Sequence, residues 1–364
     1  GGRGMKDWIK GIFIFSFLIG ISLSDANAVE AKWVKDRLGR TVQIPQEVKR
    51  TIATGPGALR LVIYLEGFEK VVGVEQVERE WSPIGRPYRM AYPKLSELPI
   101  IGLGGPDSNP NPEAILRLNP DVIMATYMTG EQADKLQYRT GKPVVVLSYG
   151  ALGNFHSEEL FQSLMIGGEV LNRKRRAETI LTYIKKNMQT LQERTRDFPE
   201  ERKPNVYVGA LGLKGGHGIE STECQFPPFL AVHARNVMKN CKGHRFVDRE
   251  FLLSVDPEVL FLDLGNLHLV RQDYRKQAIF YKSLKAFRTG ELYGIFPFNY
   301  YATNVETALV DAYLIGQILY PERFSDLYFE EKAREIFRFF VGHDVYDGMK
   351  EKYGKAGRID TSQW

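Results

Sequence analysis

Two acids stand at the same point of a motif that occurs twice. The first copy runs Glu113-Ala114-Ile115-Leu116-Arg117-Leu118-Asn119-Pro120-Asp121-Val122-Ile123, and the second runs Glu250-Phe251-Leu252-Leu253-Ser254-Val255-Asp256-Pro257-Glu258-Val259-Leu260. Each opens with an acid on a short amphipathic turn and stops at an Asx-Pro pair, because a proline disfavours helix in the residue before it. A second acid and a short apolar strand follow. A carboxylate at a helix start is favoured locally by the helix dipole. One such unit is ordinary in an α/β chain. Two in one register, far apart, predict two similar halves with an equivalent exposed acid on each.

Other groups that could do chemistry sit at the ends of expected strands. The stretch Leu213-Lys214-Gly215-Gly216-His217-Gly218-Ile219-Glu220-Ser221-Thr222 is a glycine-rich loop. It lets backbone N–H groups approach a ligand, and Lys214 and His217 suit an anion. No nucleotide-binding G-x-G-x-x-G or P-loop pattern is present. The six histidines, His156, His217, His233, His244, His268 and His343, have no H-x-x-x-H spacing and join no cysteine cluster. A bare metal site is therefore not expected. A metal already wrapped in an organic chelator needs aromatic walls and a few cations instead. Trp81, Tyr88, Tyr127, Tyr149, Tyr300 and Tyr301 are candidate walls, Asn299 stands beside the last two, and Arg86, Arg89 and Lys214 are candidate cations. There is no G-x-S-x-G, no H-E-x-x-H and no nucleophile with a base beside it, so an enzyme is not expected.

The elements that position these groups follow a βαβ rhythm. Trp33 to Pro45 reads as a hairpin turning at Gly39, and strands are expected at Thr51–Thr54, Val71–Val74, Pro99–Ile101, Val122–Ala125 and Val144–Leu147. Trp81 to Leu98 is expected to be a long loop. From Arg173 to Arg196 there is no Gly and no Pro, and Ala177, Leu181, Ile184, Met188 and Leu191 form one apolar stripe. That predicts a single stiff helix, roughly 35 Å long at 1.5 Å per residue, joining the halves. The second half restarts at Asn205–Gly209, with a helix over Phe229–Val237, strands at Val259–Leu262 and Leu292–Phe296, and helices at Asn304–Leu319 and Tyr328–Val341. The expected divisions are a leader over 1–28, an N-terminal lobe over 29–172, the connecting helix over 173–196, a C-terminal lobe over 197–345 and a polar, frayed tail over 346–364. Each half is expected to be α/β with a parallel sheet, and ligands bind beyond the C-terminal strand ends of such sheets.

The leader is predicted from Lys6 and Lys10 after Met5, the apolar run Ile12 to Leu23, and Ala26-Asn27-Ala28 as a cleavage site. The chain is then exported, most simply to a periplasm. Its net charge of +5 falls to about +4 after cleavage, too mild and too scattered for a nucleic-acid partner. The two cysteines, Cys224 and Cys241, are expected to be bridged in an oxidising compartment.

Taken together, Asp36-x-x-Gly39-Arg40-x-Val42-x-Ile44-Pro45, Ile101-Gly102, the Pro112 to Ile123 motif, the single long helix and Asn304-x-Glu306-x-Ala308-Leu309 resemble the substrate-binding proteins of ABC importers, in the group that delivers iron-siderophores, haem and cobalamin. The resemblance covers the whole chain after the leader. It implies an α/β fold of two Rossmann-like lobes joined by the one long helix with the ligand in the cleft between them, a monomer with no cofactor of its own, and a pair of membrane permease subunits as partner. The group docks through one Glu per lobe, and those positions match Glu113 and Glu250. It leaves the ligand open. A chelated iron is the first expectation; haem, with His217 or Tyr300 as an axial ligand, cobalamin and oxyanions such as molybdate are the alternatives. A periplasmic enzyme on the same scaffold is the remote alternative.

Overall fold

A computed structural model describes residues 30–105 and 109–364. The proposed leader lies outside the described residues. The described chain begins with a hairpin, β1 (Ala31–Lys35) and β2 (Thr41–Pro45), paired antiparallel. Its turn explains the Asp36-x-x-Gly39-Arg40 pattern. Asp36 is buried, accepts from the backbone N–H groups of Leu38 and Arg40 at 3.0 Å each, and pairs with the Arg40 guanidinium at 2.7 Å. Its other oxygen accepts from Val146 N, which fastens the hairpin to the sheet edge.

The N-terminal sheet comprises β3 (Thr51–Thr54), β4 (Val71–Gly73), β5 (Val122–Thr126) and β6 (Val144–Leu147), all parallel, in the order β4-β3-β5-β6. Strands β3, β5 and β6 are buried along their whole length, as expected of a sheet covered on both faces. The expected strand at Pro99–Ile101 is only a bridge of Ile100 to Val74. The stretch from Trp81 to Leu98 is not a loop. It holds the helix Pro87–Ala91 and a 3-10 turn, Pro93–Glu97, around the buried group Glu78, Arg86 and Tyr88.

The connecting helix runs Lys174–Thr195, 22 residues. Ala177, Ile180, Ile184, Met188 and Leu191 are its buried face; Ile180 takes the place expected for Leu181, which lies half-buried at the edge of a surface groove.

The C-terminal lobe adds β7 (Asn205–Gly209), β8 (Ser221–Glu223), β9 (Arg235–Asn236), β10 (His244–Phe246), β11 (Val259–Asp263), β12 (Leu292–Ile295) and β13 (Gly357–Arg358). Five form one sheet, β13-β12-β11-β7-β9, parallel except for β13, and β8 pairs with β10. The helix expected over Phe229–Val237 is Pro227–Ala231, started by its two prolines, and the chain then enters β9. The tail is not frayed. Residues Tyr346–Tyr353 form a helix whose Tyr346 and Met349 are fully buried, and β13 closes the sheet edge. Apolar residues among polar ones in so short a segment gave too weak a period to register. Cys224 and Cys241 form a disulfide that closes a loop of 17 residues beside β8.

Candidate functional site

The repeated motif folds identically in the two lobes. Its helices are Pro112–Leu118 and Arg249–Val255, and each leads into a central strand, β5 or β11. Both end at an Asx residue in the left-handed region, Asn119 at φ 47° and Asp256 at φ 34°, a conformation that Asn and Asp tolerate better than most residues. The second acid of each copy clamps the neighbouring strand. Asp121 accepts from Lys49 N and Arg50 N at 2.7 and 2.8 Å, and Glu258 accepts from Asn205 N at 2.9 Å. The capping role falls two residues before the first acid. Asn111 accepts from Glu113 N and Ala114 N, and Asp248 accepts from Phe251 N. Glu113 and Glu250 are exposed, and neither has an ion-pair partner among the described residues. Their carboxylates are therefore free for a partner outside the chain.

Where the lobes meet, the central group is Arg60, on the helix Ala58–Tyr64 that follows β3. The side chain is fully buried. Its guanidinium donates to Tyr301 O at 2.9 Å, Tyr300 O at 2.8 Å and Asn304 Oδ1 at 2.9 Å, all in the C-terminal lobe, and to Tyr149 Oη at 3.4 Å in its own. Burial opposes the charge, but the surrounding Tyr149, Tyr88, Tyr64 and Glu306 outweigh it and raise the Arg60 pKa. The receiving loop, Pro297–Asn304, carries Tyr301 and Ala302 with φ of 57° and 67°. Two consecutive residues in that region turn both carbonyls of Tyr300 and Tyr301 toward one guanidinium. Tyr301 Oη donates to Glu75 Oε1 at 2.8 Å and accepts from Gly105 N at 3.0 Å. Glu75 lies two residues past β4, and burial pushes its carboxyl up to about 7. Nearby, Tyr64 hydrogen-bonds to Glu306, whose carboxyl burial raises to about 6. Gly153 N donates to Thr303 Oγ1 at 2.9 Å across the same seam.

Beside this seam the ends of β5 and β6 leave a cavity of about 290 Å³. Arg37, Tyr127, Thr129, Ser148 and Tyr149 supply its polar lining. Tyr127 is 55% exposed, with φ of 50°. Tyr149 is buried and donates to Gly57 O at 2.8 Å; a Cβ on Gly57, at φ 77°, would lie 2.6 Å from the Tyr149 ring, so only glycine fits there. The Arg37 Nε is buried without a hydrogen-bond partner, while its terminal nitrogen reaches Gln162.

The other expected residues divide by location. Trp81 stacks on Tyr300, ring centroids 6.1 Å apart, and meets Tyr301 edge-on at 5.3 Å, so the three aromatics face one another across the seam. Asn299, exposed in the same loop, accepts from Thr303 Oγ1. Lys214 is exposed, and His217 bonds to Leu213 O and packs against Phe246. Arg86 and Arg89 are not open cations. Arg86 is fully buried, bonded to Glu78 at 2.5 Å and to Trp81 O, and Arg89 is held by Glu78 O and Tyr92 O. Their proline-rich stretch read as a loop, and it folds around Glu78 instead. Arg60 and Arg37 were missed. Arg60 had a signal, a lone charge in the otherwise apolar run Ala58 to Tyr64; the environment of Arg37 depends on packing against β6 and Gln162, which no local pattern encodes.

The molybdate-binding protein MolA of Haemophilus influenzae is 22% identical over 356 residues, covering 91% of this chain and 96% of that one. Its molybdate-bound structure superposes with a TM-score of 0.67 at 19% identity, covering 86% of this chain and 98% of that one. A periplasmic solute-binding protein of Veillonella parvula gives a TM-score of 0.70 at 20% identity, with 89% and 97% covered. The TroA-like periplasmic binding protein FepB of the same organism gives 0.63 at 18%, with 86% and 97% covered. These likenesses establish the two-lobed fold. Residues 52–295, from β3 through the last residue of β12, match the periplasmic binding protein family, and the chain belongs to that family of ABC-transporter substrate-binding proteins.

Proposed function

We propose that this protein captures a small anion, an oxyanion of the molybdate type, at the strand ends of its N-terminal lobe beside the seam, and delivers it to the permease of an ABC importer. The observation that carries the choice is the size and lining of the space at the strand ends. The cavity is about 290 Å³, at the lower edge of the roughly 300–1,000 Å³ that encloses drug-sized ligands. It is lined by the hydroxyl-bearing Tyr127, Thr129 and Ser148 and by Arg37, whose guanidinium brings a positive charge to its edge. An oxyanion asks for several donors and little apolar wall. An iron chelate or a haem, the first expectation from sequence, needs a broad aromatic slot, but Trp81, Tyr300 and Tyr301 pack on one another. The 22% identity to a molybdate-binding protein supports the same choice.

Delivery in this reading uses Glu113 and Glu250. Both are exposed, without an ion-pair partner among the described residues, and relieved of capping by Asn111 and Asp248. Two equivalent acids, one per lobe, suit two permease subunits that each offer a cation. Exposed charges of this kind act mainly on encounter and orientation. The test is uptake by cells beside ligand affinity of the purified protein, for Glu113→Lys and Glu250→Lys. Affinity should be retained while uptake falls for each and further for both. Uptake that survives the double reversal removes the docking role.

A further inference from the structure

Each of the equivalent helices carries an exposed leucine that the fold does not use. Leu116 and Leu253 lie three residues after Glu113 and Glu250, so acid and leucine share a face, one turn apart. Leu116 is 48% exposed and Leu253 43%. The residues just before them, Ile115 and Leu252, are at most 1% exposed and seat the helices on their sheets. A single exposed leucine is unremarkable in a soluble protein. Two at one register of a repeat, each beside an acid with no ion-pair partner among the described residues, share an arrangement that neither sheet requires. The seating of both helices rests on Ile115 and Leu252, which a substitution at either leucine leaves in place.

We propose that Leu116 and Leu253 are the apolar contact points of the docking surface. This rests on the docking role given to Glu113 and Glu250. The partner is two copies of one subunit, each presenting an apolar recess with a cation at its rim. The charge argument fixes the cation, and the repetition fixes the two copies. The division of labour follows from the physics of interfaces: rim charges set the association rate and its salt dependence, whereas a desolvated apolar anchor sets residence time. A surface built on acids alone would lose its grip at high ionic strength; the leucines supply a contact that salt does not screen.

The experiment follows binding of the full chain to its importer's permease–ATPase complex in lipid nanodiscs, with association and dissociation rates at low and high salt. For Leu116→Ser with Leu253→Ser, dissociation should be about tenfold faster, equivalent to about 1.4 kcal/mol, at both salt concentrations, with association unchanged. Leu116→Met with Leu253→Met should restore the original rate, which separates lost apolar contact from lost folding. Glu113→Gln with Glu250→Gln should slow association and flatten its salt dependence. If the serine pair dissociates at the wild-type rate while the glutamine pair is impaired, the leucine role is wrong and the docking acids stand. If neither pair changes any rate, both fall.

Discussion

Replacing Arg60 by methionine removes the cation at the lobe seam while keeping most of its volume. Three buried acceptors in the C-terminal lobe, the carbonyls of Tyr300 and Tyr301 and Asn304 Oδ1, each lose a donor within 2.9 Å. An acceptor left buried without a partner costs about 1–3 kcal/mol, partly recovered where the loop relaxes toward water. Glu306 also loses the cation that opposes its burial. Removing one member of a buried charged group typically costs about 3–5 kcal/mol, and that is the expected loss here. It is a large share of a total stability on the order of 5–15 kcal/mol. Equilibrium urea unfolding at pH 7 measures it, the midpoint falling with the slope nearly constant. Arg60→Lys keeps the charge but cannot match the fork that holds two carbonyls and Asn304 at once, so it should fall between the two. A loss below about 1 kcal/mol for Arg60→Met would refute the reasoning, because the seam would then be held by its apolar contacts alone.

Three buried carboxyls should add stability as pH falls from 8 to 5, against an opposing contribution from His156, His233 and His244, whose pKa values burial lowers. Glu75 and Asp263 are pushed by burial to about 7 and Glu306 to about 6, above the value of about 4 that these groups have unfolded. The folded chain therefore binds more protons in that window, and the stabilisation is full below about 4 and lost as pH rises through 7. Glu75→Gln, which still accepts from Gly55 N and Tyr301 Oη, should flatten this dependence; an unchanged slope in chemical denaturation across pH would exclude Glu75 as a contributor. Cys224→Ser with Cys241→Ser should cost about 3 kcal/mol for a loop of 17 residues, read from the same denaturation curves. Arg89→Ala should destabilise without a specific loss of ligand affinity, since its guanidinium serves Glu78 O and Tyr92 O; calorimetric affinity at fixed folded fraction separates the two. Ligand binding should close the lobes by only a few degrees, because the 22-residue connecting helix and the Arg60 seam resist a wide hinge; a large compaction in solution scattering would contradict this.

What the sequence made legible followed local periodicity and stop signals. Asn119-Pro120 and Asp256-Pro257 mark helix ends that fall at those residues, and the fully apolar runs of β5 and β11 are buried on both faces. The Gly- and Pro-free stretch from Arg173 folds as one helix. What stayed hidden depends on distant partners. Arg86 and Arg89 resembled open cations because nothing near them in sequence announces that Glu78 is buried between them. Tyr300 and Tyr301 read as ligand walls, and nothing local announces that the Tyr300 carbonyl receives Arg60, 240 residues away. The segment after Tyr346 looked polar, yet two of its side chains complete a core built mostly by residues before it.

In the proposed function the strand-end cavity takes a small oxyanion. Isothermal titration of the purified protein against sodium molybdate, with Arg37→Ala and Tyr127→Phe beside the wild type, tests it most directly. One-site saturable binding by the wild type is expected, weakened about tenfold or more in Arg37→Ala, where a charge-assisted hydrogen bond worth roughly 1.5–3 kcal/mol is lost. No heat with molybdate or tungstate, together with tight binding of a ferric catecholate chelate or of haem, would contradict it.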